Sequence, residues 1–236
     1  MNNIIDQHEG FSKEMTREFF RSVYGYMFSA LAISGIIAYL AGTPEFFVKY
    51  FMTAEGGISP LFYVVAFAPV GLGLLIQMAY QRLSLGFLLA LFMVYSALMG
   101  LSLGVIFLVY SGAAIASTFF VTAGAFAGMA ILGYTTKVDL TKFGSLMYML
   151  FIGIFIAGIV NIFMKSDTMG FIIAVIGVFV FTGLTAYYMQ QLKTVAQDEN
   201  LSGIDRSKLS LIGGLQLYIL FVNLFLSLLR LLGSRD

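Results

Sequence analysis

The side chains that could do chemistry inside the long apolar stretches of this sequence are neutral: Gln77, Tyr95, Ser96, Asn161, Tyr187, Tyr188, Gln190, Gln216 and Asn223. Polar groups within a bilayer are where function concentrates, so their types bound the chemistry on offer. An amide or a hydroxyl donates and accepts hydrogen bonds, but it carries no fixed charge and does not titrate near neutrality. Asn161 and Asn223 need partners in hydrocarbon and are expected to face a helix bundle, either bridging helices or lining a path for a solute. Tyr187 and Tyr188 fall about one turn before Lys193, where the apolar run ends, a position that suits an aromatic belt at the membrane interface. Catalysis has little to work with. The chain has no cysteine, and its single histidine, His8, lies in a polar leader, so thiolate nucleophiles, disulfides, histidine metal sites and histidine-based triads lack their residues. The expectation is a protein that is not an enzyme and holds no cofactor or metal.

The elements that position these groups follow from composition. Of 236 residues, 60% are hydrophobic and 11% charged, whereas a soluble domain has about a quarter of its residues charged. This predicts an all-α integral membrane protein with the lipid bilayer as its first partner. A net charge of +1 offers no basic surface for nucleic acid. Uncharged stretches run 22–44, 56–81, 83–136, 143–164, 168–192 and 209–229, and a span needs about 20 apolar residues. The third stretch would be about 80 Å long as one helix, so it must fold back, most simply at Tyr110-Ser111-Gly112. Seven transmembrane helices result, over approximately 22–44, 57–80, 84–109, 112–135, 143–164, 168–192 and 209–232, in a single membrane domain 1–236 with a leader at 1–21.

Lysine and arginine set the orientation. On the side of the N-terminus lie Lys13, Arg17, Arg21, Arg82, Lys137, Lys142, Lys193, Arg206 and Lys208; the other side has Lys49, Lys165, Arg230 and Arg235. The excess predicts a cytoplasmic N-terminus and, with an odd number of spans, a C-terminus outside. The leader mixes acids with bases and lacks the short apolar core of a cleavable signal. Phe11, Met15, Phe19 and Val23 recur every fourth residue, which predicts a helix leading into the first span and packed on the bundle. Gly100-Leu-Ser-Leu-Gly104 and Gly124-Ala-Phe-Ala-Gly128 are spacings at which helices approach closely, and packing within one chain is expected for both. Gly213-Gly214 reads as either a hinge or a close crossing.

Several segments, in order, resemble one known family. The run Leu217-Tyr-Ile-Leu-Phe-Val-Asn-Leu-Phe-Leu-Ser-Leu-Leu-Arg-Leu-Leu-Gly233 is similar to the last helix of the Bax inhibitor-1 family. The stretch from Tyr95 to Ile154, "VNIF" at 160–163 and "GLTAYYMQQLK" at 183–193 resemble its bacterial branch. The resemblance implies seven helices with the last one central in the bundle, in a bacterial inner membrane. It also implies a pH-sensitive calcium leak gated by two intramembrane aspartates that share a proton. Paired carboxylates in a low dielectric do titrate far apart, and calcium prefers hard oxygen ligands. The family motif would place those aspartates where this chain has Tyr188 and Leu220, and an arginine partner near Tyr80 or Arg82. With tyrosine and leucine at the sensor positions, any calcium flux is expected to be flat between pH 5 and 8. Asn161, Asn223 and backbone carbonyls are the groups left to line a path. The alternative implied by the family is a regulatory binding protein, for example a modulator of a membrane-anchored ATP-dependent protease.

Overall fold

The computed structural model describes the backbone of residues 2–233 and the side chains of residues 14–233. Eight helices follow in order: α1 (Asn2–Ala41), α2 (Pro44–Phe51), α3 (Pro60–Ala79), α4 (Leu85–Leu103) ending in a 3-10 turn (Gly104–Leu108), α5 (Gly112–Thr135), α6 (Thr141–Met164), α7 (Asp167–Ala196) and α8 (Gly203–Leu232). Seven of them are long and apolar enough to cross a membrane, all except α2. The fold-back of the long third stretch falls between Leu108 and Gly112. Helices α1, α7 and α8 run on past the apolar stretches, to 40, 30 and 30 residues. A charged residue ends a hydrocarbon span, but it does not end a helix, because water and the backbone ladder both tolerate it.

One compact unit contains α1 to α4 with the first half of α8, up to Tyr218. Here Gly100 lies so close to α1 that a methyl group would come within 2.7 Å of the Ser34 carbonyl, and Gly104 faces Ala41 at 3.3 Å. The first glycine pair therefore packs within the chain. Gly214 lies against Val23 and Tyr26, where an added Cβ would sit 2.7 and 2.6 Å away, so this part of α8 makes a close crossing. Met15 is half-buried while Phe19 and Val23 are buried, as a packed leader helix requires; Phe11 and His8 lie outside the described side chains. Between α1 and α3, Thr43 caps α2 through a bond from the Phe46 N–H (3.2 Å), Pro44 occupies the first turn, and Phe47 and Phe51 both meet Phe62 of α3 edge to face.

The other unit contains α5, α6, most of α7 and the second half of α8. Gly133 of α5 presses against the backbone of Ala186 in α7, and Gly144 of α6 seats the ring of Tyr187. Phe221 of α8 meets Phe119 and Phe126 of α5 with ring centroids 5.4 and 5.5 Å apart. Gly124 and Gly128 behave differently from the first glycine pair: an added Cβ on either meets nothing within 4 Å. The expectation of packing within the chain is corrected for them, because they lie on a face of α5 turned away from its neighbours. Across the molecule α8 is the buried helix, with 72% of its apolar window covered against 11% for α6, as a central helix must be.

Candidate functional site

The best-defined polar constellation lies where α7 leaves the apolar region. Gln190 reaches the α5–α6 connection with both halves of its amide: Nε2 donates to the Val138 carbonyl at 2.7 Å and Oε1 accepts from the Leu140 N–H at 2.8 Å. One turn further, Lys193 Nζ donates to the Tyr134 carbonyl at 2.9 Å and stands 5.1 Å from the centre of the Tyr134 ring. That carbonyl is in the last turn of α5, where the helix leaves its acceptors unpaired and its dipole favours a cation. Asp139 then starts α6 by accepting from the Thr141 N–H (2.9 Å) and hydroxyl (2.6 Å). These bonds from Thr141 hold the Asp139 carboxyl below its usual range, with Lys142 adding to the effect.

Directly inside this clamp is a group of three tyrosines. Tyr187 stands edge to face with Tyr148 of α6, centroids 6.3 Å apart at 90°, and with Tyr188 at 6.1 Å. The Tyr188 side chain also lies close to that of Tyr148. Both Tyr187 and Tyr188 are half-buried between helices. Glycine at 144 lets α6 approach until the Tyr187 ring fills the space a side chain would take. The arrangement can exchange hydrogen bonds between neutral oxygens, and it can exclude water; it holds no charge.

The remaining candidate residues do not join this group. Leu220 is 2% exposed in α8 and offers no polar atom. Asn223, one turn on, donates through Nδ2 to the Ile219 carbonyl of its own helix at 2.8 Å. Asn161 is at the far end of α6, where its Oδ1 accepts from the Ser166 N–H at 3.1 Å and closes the turn into α7. The expected bonding between helices is thus corrected for both asparagines: an amide can share a carbonyl one turn back on its own helix, or accept from an N–H of the adjoining turn, without reaching across to another helix. Tyr80 and Arg82 lie at the end of α3. Both follow Ala79, the last residue of α3, with Tyr80 accepting from the side chain of neighbouring Gln81 at 3.2 Å and Arg82 exposed in the turn. In the first unit, the Tyr218 hydroxyl is fully buried near Ser34 without a hydrogen-bond partner, while its ring meets Tyr95 edge to face at 6.0 Å. Among the described residues no group of three or more His, Cys, Asp and Glu could hold a metal ion.

Comparison with known proteins adds to this geometry. Residues 16–236 match the family described as "Inhibitor of apoptosis-promoting Bax1". The chain belongs to the Bax inhibitor-1 family. It is 42% identical over 216 residues to the inner membrane protein YbhL of Escherichia coli K12, covering 90% of each chain. An uncharacterized protein of Caulobacter vibrioides is 41% identical over 225 residues, covering 92% of this chain and 89% of its own. An uncharacterized membrane protein of Streptococcus pyogenes serotype M1 is 30% identical over 219 residues, with 93% of each covered. Within this family scaffold the residues that sequence reasoning passed over are Tyr148, Gly133 and Gly144, together with the specific roles of Gln190 and Lys193. The available signals were the three-residue spacing of Gln190 and Lys193, which puts both on one helix face, and the four-residue spacing of Gly144 and Tyr148.

Proposed function

We propose that this Bax inhibitor-1 family protein is a cation leak of the bacterial inner membrane, with calcium as the ion, and that protons do not gate it. The observation that carries the reading is the state of the two sensor positions: Tyr188 is a half-buried tyrosine packed edge to face on Tyr187, and Leu220 is buried and apolar. Tyrosine ordinarily titrates near pH 10 and leucine not at all, so neither position changes charge between pH 5 and 8. Acidic residues of the described spans, Glu14, Glu18, Asp167 and Asp205, all lie near a span's start, which leaves neutral oxygens as ligands deeper in and weak calcium binding. YbhL is named for the inner membrane, and the excess of lysine and arginine on one side supports an orientation with the N-terminus and the Gln190–Lys193 clamp in the cytoplasm and the C-terminus outside.

The test is calcium flux into proteoliposomes at pH 6 and pH 8, for the natural chain beside the double variant Tyr188→Asp, Leu220→Asp. The natural chain is expected to leak at the same rate at both values, and the variant to leak with a pH dependence. A steep response of the natural chain would place the sensor elsewhere and sink the reading. A second reading, a regulator of a membrane-anchored ATP-dependent protease, draws on α1, whose helix starts at Asn2, well before the span that begins at Glu14. A silent natural chain beside a leaking variant would favour it.

A further inference from the structure

Helix α6 is held to its neighbours through its first half. Gly144 and Met147 are its buried residues, and none after Met147 is buried. Its other end is tied to α7 by a tight turn. Lys165 adopts a left-handed conformation (φ 50°) and its N–H bonds to the Asn161 carbonyl at 2.8 Å, after which Ser166 starts α7 by accepting from the Met169 N–H at 3.3 Å. Between these two attachments the helices leave a hollow of about 500 Å³. Its walls are apolar, with Met149, Gly153 and Ala157 on α6 and Met169, Ile172 and Ile176 on α7. Gly153 supports the hollow directly, since a Cβ built there meets nothing within 4 Å.

The shape selects the occupant. Toward the inner side the two helices also meet through Phe151 and Phe181, ring centroids 6.0 Å apart, and at the outer end they share the Lys165–Ser166 turn. A helix about 10 Å across does not fit a slot between two helices pinned together at both ends; a single hydrocarbon chain does. Along α6 the lining runs from Met149 to Met164, about 22 Å at the helical rise, against roughly 15 Å for half the hydrocarbon core. The methionines in the lining adapt to an irregular chain. At the mouth stand Ser166 and Thr168, and beside them the exposed ammonium of Lys165, which makes no ion pair among the described residues. Arg230, at the same level, is 3.9 Å from Asp167, so the cluster Lys165, Arg230 and Asp167 sums to a charge of +1.

We propose that this groove is a binding site for an anionic phospholipid, one acyl chain lying between α6 and α7 and the phosphate group held at Lys165. The test is lipid retention, measured by native mass spectrometry of the full-length protein. It is released from vesicles of phosphatidylglycerol and phosphatidylcholine in equal amounts. The natural chain should retain phosphatidylglycerol in preference. Lys165→Gln should lower that preference about fivefold, the effect of one cation near an anionic lipid surface, and leave total lipid unchanged. Gly153→Leu should lose both lipids while eluting and melting as the natural chain does, because its side chain enters open space. Undiminished retention in Gly153→Leu would overturn the site. Equal retention of the two lipids by the natural chain would overturn the headgroup assignment.

Discussion

The two ends of the α6–α7 pair solve the same packing problem in opposite ways. At the Gln190 end the backbones are drawn together over glycines, Gly144 under Tyr187 with Gly133 of α5 against Ala186, and the loop's polar groups are matched across about fifty residues of chain. At the Lys165 end the two helices share a tight turn and little else, and Gly153 and Gly158 of α6 face open space rather than a neighbour. Glycine therefore has two meanings in one hairpin. Where it permits contact, its replacement is costly; where it borders a hollow, its replacement is nearly free.

The sharpest way to break this contrast is Gly133→Ala. The new methyl group would meet the Ala186 backbone, which cannot rotate aside, and a loss of roughly 3 kcal/mol is expected, at the upper end for overpacking. Denaturation in detergent micelles measures it, and an unchanged midpoint would mean that the crossing is looser than described. Next in size is Gln190→Ala, which strips the Val138 carbonyl and Leu140 N–H of their partner. Because the site is partly open to water, about 1 kcal/mol is expected, with faster amide exchange at Leu140 as the local readout.

How much of this was legible beforehand depends on which physical signal each feature leaves. The seven spans were readable because burying charge in hydrocarbon is costly, so the gaps between charges mark the bilayer. Helix ends were not, since α1, α7 and α8 continue into water with nothing in their sequence to stop them. The tyrosine pair at 187 and 188 was visible as polar groups at the end of an apolar run; its partner Tyr148 was not, because a single tyrosine in an apolar helix carries no mark of the ring it will meet. Asn161 and Asn223 misled for a related reason. Hydrocarbon demands a partner for an amide, but it does not say that the partner must be on another helix. Gln190 was legible as a polar group and illegible as a clamp, its acceptor lying 52 residues away.

Smaller effects sharpen the other side of the comparison. Gly153→Ala should raise stability by about 0.5 kcal/mol, since alanine is the better helix former and its methyl group clashes with nothing. A loss larger than 1 kcal/mol in the same denaturation assay would show that the hollow is filled by protein. The smallest effect expected is that of acid on the loop. Asp139 has its carboxyl lowered by Thr141, so its contribution is fully present above the unfolded value of about 3.9 and is lost only as pH falls through the lower folded value. Amide exchange in the 136–141 loop should therefore be the same at pH 8 and pH 5 after correction for intrinsic rates, and Asp139→Asn should leave that comparison flat.

The short helix α2 has a consequence for where the protein floats. Its cap at Thr43 and its aromatic fastening to Phe62 fix it to the top of α3, while Val48 and Tyr50 are exposed and Lys49 lies 5.1 Å from the Tyr50 ring. Aromatic rings and a lysine at one level seek the headgroup layer. A helix clamped to a span in this way acts as a waterline: it fixes the depth at which α3 rides, and a thinner or thicker bilayer must bend to meet it.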